Sequence, residues 1–157
     1  METFNFIANV AGIVGLFLSG IAAFQARRAS EAAIAARDAA IVRTLADELQ
    51  LASTRAEQLV GFLAHGRFGE AVLRSDELTY SLSELPYRRG GYLQEPHINT
   101  LLTSRQQLQS ISEVMAKTGR GSLATGDTDR SIIIARRVVI SLREVLGQVR
   151  SGIEAEA

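Results

Sequence analysis

Few residues in this sequence have the types and spacing that catalysis requires. Its 157 residues include no cysteine and only two histidines, His65 and His97, far apart in the chain. The absence of cysteine excludes disulfides and thiolate metal sites, and two distant histidines make a histidine-built metal site unexpected. Neighbouring carboxylates such as Asp47 and Glu48 point about 100° apart on a helix, which suits an acid/base pair poorly. We therefore assign no catalytic residue, no metal ligand and no cofactor.

Two basic stretches are candidates for ligand or nucleic-acid contact. The first, Tyr87 to Tyr92, places Arg88 and Arg89 between aromatic residues and glycines on a predicted loop. Such a loop could grip a phosphate or stack a base, although a plain surface turn also collects these residues. The second, residues 117–150, could meet RNA, a nucleotide or anionic headgroups, or be a solvated helix face. The candidate contacts are Arg88, Arg89, His97, Arg136 and Arg137.

An apolar N-terminal run is the main organising element. Residues 3–26 are 24 positions without charge, about 36 Å of helix and long enough to cross a bilayer core. Arg27 and Arg28 follow the run and no basic residue precedes it, so the positive-inside rule places the N-terminus outside and the rest in the cytoplasm. A cleaved signal peptide and a buried core helix are the alternatives.

One face of this helix consists only of small residues at heptad spacing. The spacing alternates between four and three residues, which is typical of helices that supercoil closely around a partner. Since there is only one span, the simplest partner is another copy of the chain. The alternative is a region that is merely rich in alanine. We call this face the seam; it comprises Ala8, Gly12, Gly15, Ser19, Ala22, Ala26, Ala29, Ala33, Ala36 and Ala40.

The remainder predicts a helical bundle. A stalk helix over 27–64 changes its apolar face near Val42, from which large residues continue the same alternating spacing. Further helices are predicted over 67–85, which Pro86 ends, over 96–117, and from Asp127 or Thr128 to about Val149. Their apolar positions, among them Leu102 and Ile133, are predicted to face the core. The predicted fold is all-α: a transmembrane segment (1–26) continuous with a cytoplasmic bundle of about four helices (27–150) and a frayed tail (151–157).

This organisation resembles the small single-pass membrane proteins found beside bacterial anti-phage systems. The span and the juxtamembrane stretch RRASEAAIAARDAA are similar to the membrane accessory protein of type VI-B CRISPR systems. That resemblance implies oligomerisation into a pore and a bundle related to HEPN RNases. His97 follows Arg88 by nine positions and Arg89 by eight, a longer spacing than the Arg-His motif of HEPN nucleases.

We therefore expect a single-pass, homo-oligomeric protein of the bacterial inner membrane that is not an enzyme. Its expected role is to perturb or permeabilise the membrane in anti-phage defence when a cytoplasmic protein or RNA triggers it. One alternative is a passive anchor or adaptor for a partner protein. The other is a degenerate HEPN-like RNase that uses His97 and Arg89.

Overall fold

A computed structural model describes the backbone of residues 2–118 and 125–155, and the side chains of 19–89, 91–117 and 125–152. Four α-helices follow one another: α1 (Glu2–Ala64), α2 (Phe68–Arg89), α3 (Glu95–Thr118) and α4 (Thr125–Ala155). A 3-10 turn, Gly90–Tyr92, joins α2 to α3. The described residues contain no β-strand. The prediction of an all-α chain with four helices is confirmed over this part.

The predicted membrane span lies mostly outside the described side chains. Its residues 1–18 have no described side chain, and only 19–26 do. Within the described part of the chain, no helix combines the length and the apolar character needed to cross a membrane. The span at 1–26 therefore stays a prediction.

The chain divides into two units, Met1–Ile41 and Val42–Ala157. The described side chains of the first unit are exposed, apart from the half-buried Asp38 and Ile41. Their contacts run along the helix: Arg27 Nε lies 3.1 Å from Glu31 Oε1, and the Arg28 guanidinium lies over the Phe24 ring at 4.7 Å. These contacts link neighbouring turns of one helix and build no core.

In the second unit, α1 and α4 run antiparallel. Arg143 donates to Glu57 at 2.7 Å, and Arg150 donates to Gln50 at 3.3 Å. Residue numbers thus rise along one helix as they fall along the other. Because both contacts are polar and exposed, they fix the alignment of the two helices more than they stabilise the fold.

The pair α2 and α3 is also antiparallel. The short connection between Arg89 and Glu95 reverses the chain. The middle of each helix then meets the other: the buried Ser75 hydroxyl donates to the Leu108 carbonyl at 3.1 Å, and the Ser112 hydroxyl donates to Asp76 at 2.9 Å. With α1 and α2 joined by a short turn, these alignments give an up-down-up-down bundle, as the short connections predict.

The core lies between the four helices and is built mainly from leucine. The leucine face that begins near Val42 is buried as predicted, with Leu45, Leu49, Leu59 and Leu63 fully inside. Two predicted core residues are exposed instead. Ile133 is the middle of three consecutive isoleucines, which cannot all face one core, so Ile132 and Ile134 pack and Ile133 points outward. Leu102 lies beside the buried Leu101, about 100° around the helix, and is 37% exposed.

Three predicted helix boundaries are wrong. Pro86 does not end α2, which continues to Arg89. Proline removes one backbone donor from the helix ladder, and here the burial of Leu85 and an ion pair between Arg88 and Glu84 hold the last turn in place. Helix α4 begins at Thr125, earlier than expected, and ends at Ala155, later than expected.

The turn between α1 and α2 is fixed by Gly66. Its φ of 69° is left-handed, a region that glycine enters without steric cost. Arg67 N–H donates to the Phe62 carbonyl at 2.9 Å and Gly66 N–H to the Leu63 carbonyl at 3.2 Å, which is the Schellman pattern. The Arg67 guanidinium then stacks on the Phe62 ring at 4.8 Å. This turn sets where the packed half of α1 stops.

Candidate functional site

Arg88 and Arg89 lie on the last turn of α2 and not on the predicted flexible loop. Arg88 pairs with Glu84 one turn earlier, and Arg89 Nη2 lies 3.5 Å from Glu48 Oε1 on α1. The Arg89 Nε is buried and has no hydrogen-bond partner. Both guanidinium groups are thus engaged by carboxylates of this chain, and a phosphate would have to compete with those pairs.

His97 lies at the start of α3 and is only 8% exposed. Its Nε2 is 2.5 Å from the Gln148 side-chain oxygen on α4, while its Nδ1 is buried without a partner. If Nε2 carries the proton, the ring donates to Gln148 and Nδ1 is an unused acceptor. The ring therefore ties the end of α4 to the start of α3.

A shallow cleft of about 490 Å³ opens beside His97, lined by Gln94, Pro96, His97, Gln148, Ser151 and Gly152. Arg89 does not line this cleft. The RNase hypothesis needs Arg89 and His97 to lie together. In the structure Arg89 pairs with Glu48, whereas His97 is hydrogen-bonded to Gln148. Contact of either residue with a ligand or nucleic acid stays a prediction.

A groove of about 230 Å³ lies between α1 and α2, near the α2 end that carries Arg88. Leu51, Ala52 and Leu85 supply its apolar part. Its polar rim includes Tyr80 and Glu84. A hydrogen bond to Glu84, with that carboxylate's negative charge, raises the pKa of Tyr80 because both disfavour the phenolate.

The groove adjoins an apolar ridge on the exposed side of α2. Leu73, Tyr80 and Tyr87 lie seven residues apart and thus nearly in line along the helix. All three are well exposed. Two ion pairs within α2 lie beside this ridge, Arg74 with Glu77 at 2.6 Å and Arg88 with Glu84, and Asp76 accepts a hydrogen bond from Ser112. The surface is therefore apolar, and most of the charges beside it are paired.

Arg136 and Arg137 lie on the exposed side of α4. The structure gives neither one an ion pair with a described residue, in contrast to Arg143, which binds Glu57. Exposed arginines without a carboxylate are available for an external anion.

The seam is described over seven of its ten residues, from Ser19 to Ala40, and all seven are exposed. The remaining members, Ala8, Gly12 and Gly15, lie outside the described side chains. The described small residues therefore form a continuous accessible stripe on α1. Its role as an oligomer interface stays a prediction.

Two tertiary contacts had no signal in the sequence. Gln148 lies 51 residues from His97, and nothing in either local pattern indicates that they pair. Arg67 follows a recognisable helix stop, yet its stacking on Phe62 needs the turn geometry. Among the residues whose side chains are described, no group of three His, Asp or Glu residues could hold a metal ion.

Comparison with known proteins gives no match: no family model, no curated protein and no solved structure is significantly similar to this chain.

Proposed function

We propose that the chain is a homo-oligomeric membrane protein whose N-terminal helix assembles through the seam and perturbs the bilayer. The observation that carries this proposal is the unbroken alternating spacing of the ten small seam residues from Ala8 to Ala40. The seven that the structure describes are exposed, as are most of the side chains around them. A stripe of small side chains gains little by facing water, but it lets two helix backbones approach closely. The heptad spacing fits a left-handed supercoil with such a partner.

The membrane part of the proposal rests on the sequence. Residues 3–26 carry no charge, and Arg27 and Arg28 follow them directly. We place the N-terminus outside the bacterial inner membrane and the bundle in the cytoplasm, where it receives a protein or RNA trigger. The resemblance to membrane proteins of anti-phage systems extends the proposal to a defence role in which the chain permeabilises the membrane and is not an enzyme.

The first experiment measures the mass of the detergent-solubilised full chain by light scattering. We expect a discrete oligomer that disperses when Gly12, Gly15 and Ser19 are replaced by leucine. A second seam variant, Ala33→Leu with Ala36→Leu, tests the described part of the stripe.

The matched control is Gly20→Leu with Ala35→Leu, which adds similar bulk away from the seam. A Cβ added at Gly20 meets no atom within 4 Å in the single chain. Equal assembly of the seam and control variants would contradict the seam, as would a monomeric parent chain. If the parent is an oligomer, leakage of dye-loaded liposomes then tests permeabilisation.

A second candidate function is an anchor or adaptor that holds a partner protein. The apolar ridge of Leu73, Tyr80 and Tyr87 beside the α1–α2 groove favours it, since a helix can lay its apolar face in such a groove. The two functions separate when residues 3–26 are exchanged for an unrelated span. An adaptor keeps its function, whereas the seam-dependent effector loses it.

A further inference from the structure

The exposed side of α4 combines isoleucine with arginine in a regular order. Ile133 and Ile140 are 52% and 60% exposed and lie seven residues apart. At about 100° per residue they are within about 20° of each other around the helix. Arg130 and Arg137 fall on one side of this line and Arg136 on the other. We call these five residues the α4 outer face.

The charge of this face is positive and unpaired. From Arg130 to Ile140 the sequence holds three arginines and no carboxylate. All three arginines are exposed, and no described residue forms an ion pair with any of them. Asp129 and Glu144 lie just beyond the two ends of the stretch. The middle of α4 therefore presents an apolar line between cations.

This pattern favours one class of occupant. A nucleic-acid surface is expected to offer aromatic rings for base stacking, and this face has none. The exposed isoleucines gain nothing from a phosphate backbone, but they gain from the boundary between headgroups and acyl chains. Arginine is the side chain best suited to bind the phosphate groups at that depth.

We infer that the α4 outer face docks on an anionic lipid surface, with its arginines on headgroup phosphates and its isoleucines at the acyl boundary. This contact goes beyond the proposed function, because it needs neither the seam nor a pore. Each arginine near an anionic surface contributes about a five-fold gain in partitioning. The contact should therefore depend strongly on the fraction of anionic lipid.

The experiment uses the full chain with one fluorescent label. Because the protein has no cysteine, Gly147→Cys gives a unique attachment site for an environment-sensitive dye. Gly147 is exposed, lies two turns beyond Ile140 on the same side of α4 and is not part of the α4 outer face. The chain is placed in nanodiscs of phosphatidylcholine alone or with phosphatidylglycerol, both with spin-labelled lipid that quenches the dye. We expect quenching only with phosphatidylglycerol. A label at Gln106→Cys, exposed on α3, should stay unquenched in both.

A charge variant tests the arginines directly. Replacing Arg130, Arg136 and Arg137 by glutamine should abolish quenching at position 147. The matched control, Arg43→Gln with Arg55→Gln and Arg105→Gln, removes the same charge elsewhere and should keep it. Far-UV circular dichroism confirms that both variants retain their helices.

Several results would overturn the inference. The inference is wrong if the dye is not quenched, or if it is quenched equally in the two lipids. It is also wrong if both charge variants lose quenching equally. Protection of the dye by an RNA oligonucleotide or by a second copy of the chain, without lipid, would assign the face to that partner instead. If the chain does not enter nanodiscs, it is added to phosphatidylglycerol vesicles instead. This distinguishes a chain whose N-terminal helix does not insert from one whose α4 outer face does not bind lipid.

Discussion

The two halves of α1 have the same apolar spacing and opposite surroundings. From Ser19 to Ala40 the seam residues are small and exposed, whereas from Leu45 to Leu63 the residues on the core face are mostly leucine and buried. Both follow the alternating spacing of three and four residues that places side chains on one helix face. Spacing therefore defines a face, but side-chain volume decides whether that face can build a core with α2 to α4.

The largest expected effect comes from removing bulk in the packed half. Leu49→Ala should lower the free energy of unfolding by about 2–5 kcal/mol, since it leaves a cavity in a fully buried site. Urea unfolding followed by circular dichroism measures this loss. The matched change in the other half is Ile34→Ala at a site 58% exposed, which should alter stability by less than about 0.5 kcal/mol. Equal losses would mean that the first half is packed as well.

A smaller effect is expected where the packed half ends. Gly66→Ala should lower the free energy of unfolding by about 1–2 kcal/mol, because alanine is disfavoured at a φ of 69°. The control is Gly61→Ala, one turn earlier in α1, where an added Cβ meets no atom within 4 Å. This control should raise stability by about 0.5–1 kcal/mol. Thermal unfolding of both variants shows whether each change raises or lowers stability. A Gly66→Ala chain that is more stable than the parent would contradict the left-handed conformation assigned to Gly66.

The smallest effect concerns an exposed ion pair beyond that turn. Arg67 binds Glu70 through two contacts of 2.7 and 2.5 Å, which lower the pKa of the Glu70 carboxyl below its ordinary value. Because the pKa is lower in the folded chain, the ion pair stabilises the fold fully at a pH above the ordinary pKa of glutamate. This stabilisation is lost as the pH falls through the lowered pKa of the folded chain. Solvent screening keeps the effect small.

The test compares the melting temperature of the parent chain with that of Glu70→Gln across this pH range. We expect the variant to melt slightly lower at neutral pH and the difference to vanish in acid. A difference that stays constant with pH would show that the Glu70 carboxylate does not contribute through its charge. In the first unit, Arg27 and Glu31 form a similar exposed ion pair between neighbouring helix turns, but no core lies beside it.

Much of the fold was predictable because it depends on local periodicity. The buried leucines of α1, the main apolar faces of α3 and α4, and the stop at His65-Gly66 follow from residue order. The predicted end at Pro86 failed because a proline near a helix end costs one hydrogen bond, which the packing of Leu85 offsets. The direction of Ile133 was missed because a run of three isoleucines gives no preferred face.

The candidate sites were less predictable. The sequence places Arg88 and Arg89 near His97, but the fold pairs Arg89 with Glu48 and His97 with Gln148. Each pairing joins residues from different helices, so the alignment of those helices in the bundle selects the partner. The stretch from Arg130 to Ile140 contains no carboxylate, but a distant one can still pair with an α4 arginine, as Glu57 does with Arg143.

The sequence by itself determined the helices, the chain reversals and the two faces of α1, because these depend on contacts within a few residues. Only the tertiary structure decided which arginines are neutralised and that His97 is enclosed. Those outcomes depend on side chains brought together from distant parts of the chain, such as Arg143 with Glu57 and His97 with Gln148. Local sequence carries no information about such neighbours until the helices have packed.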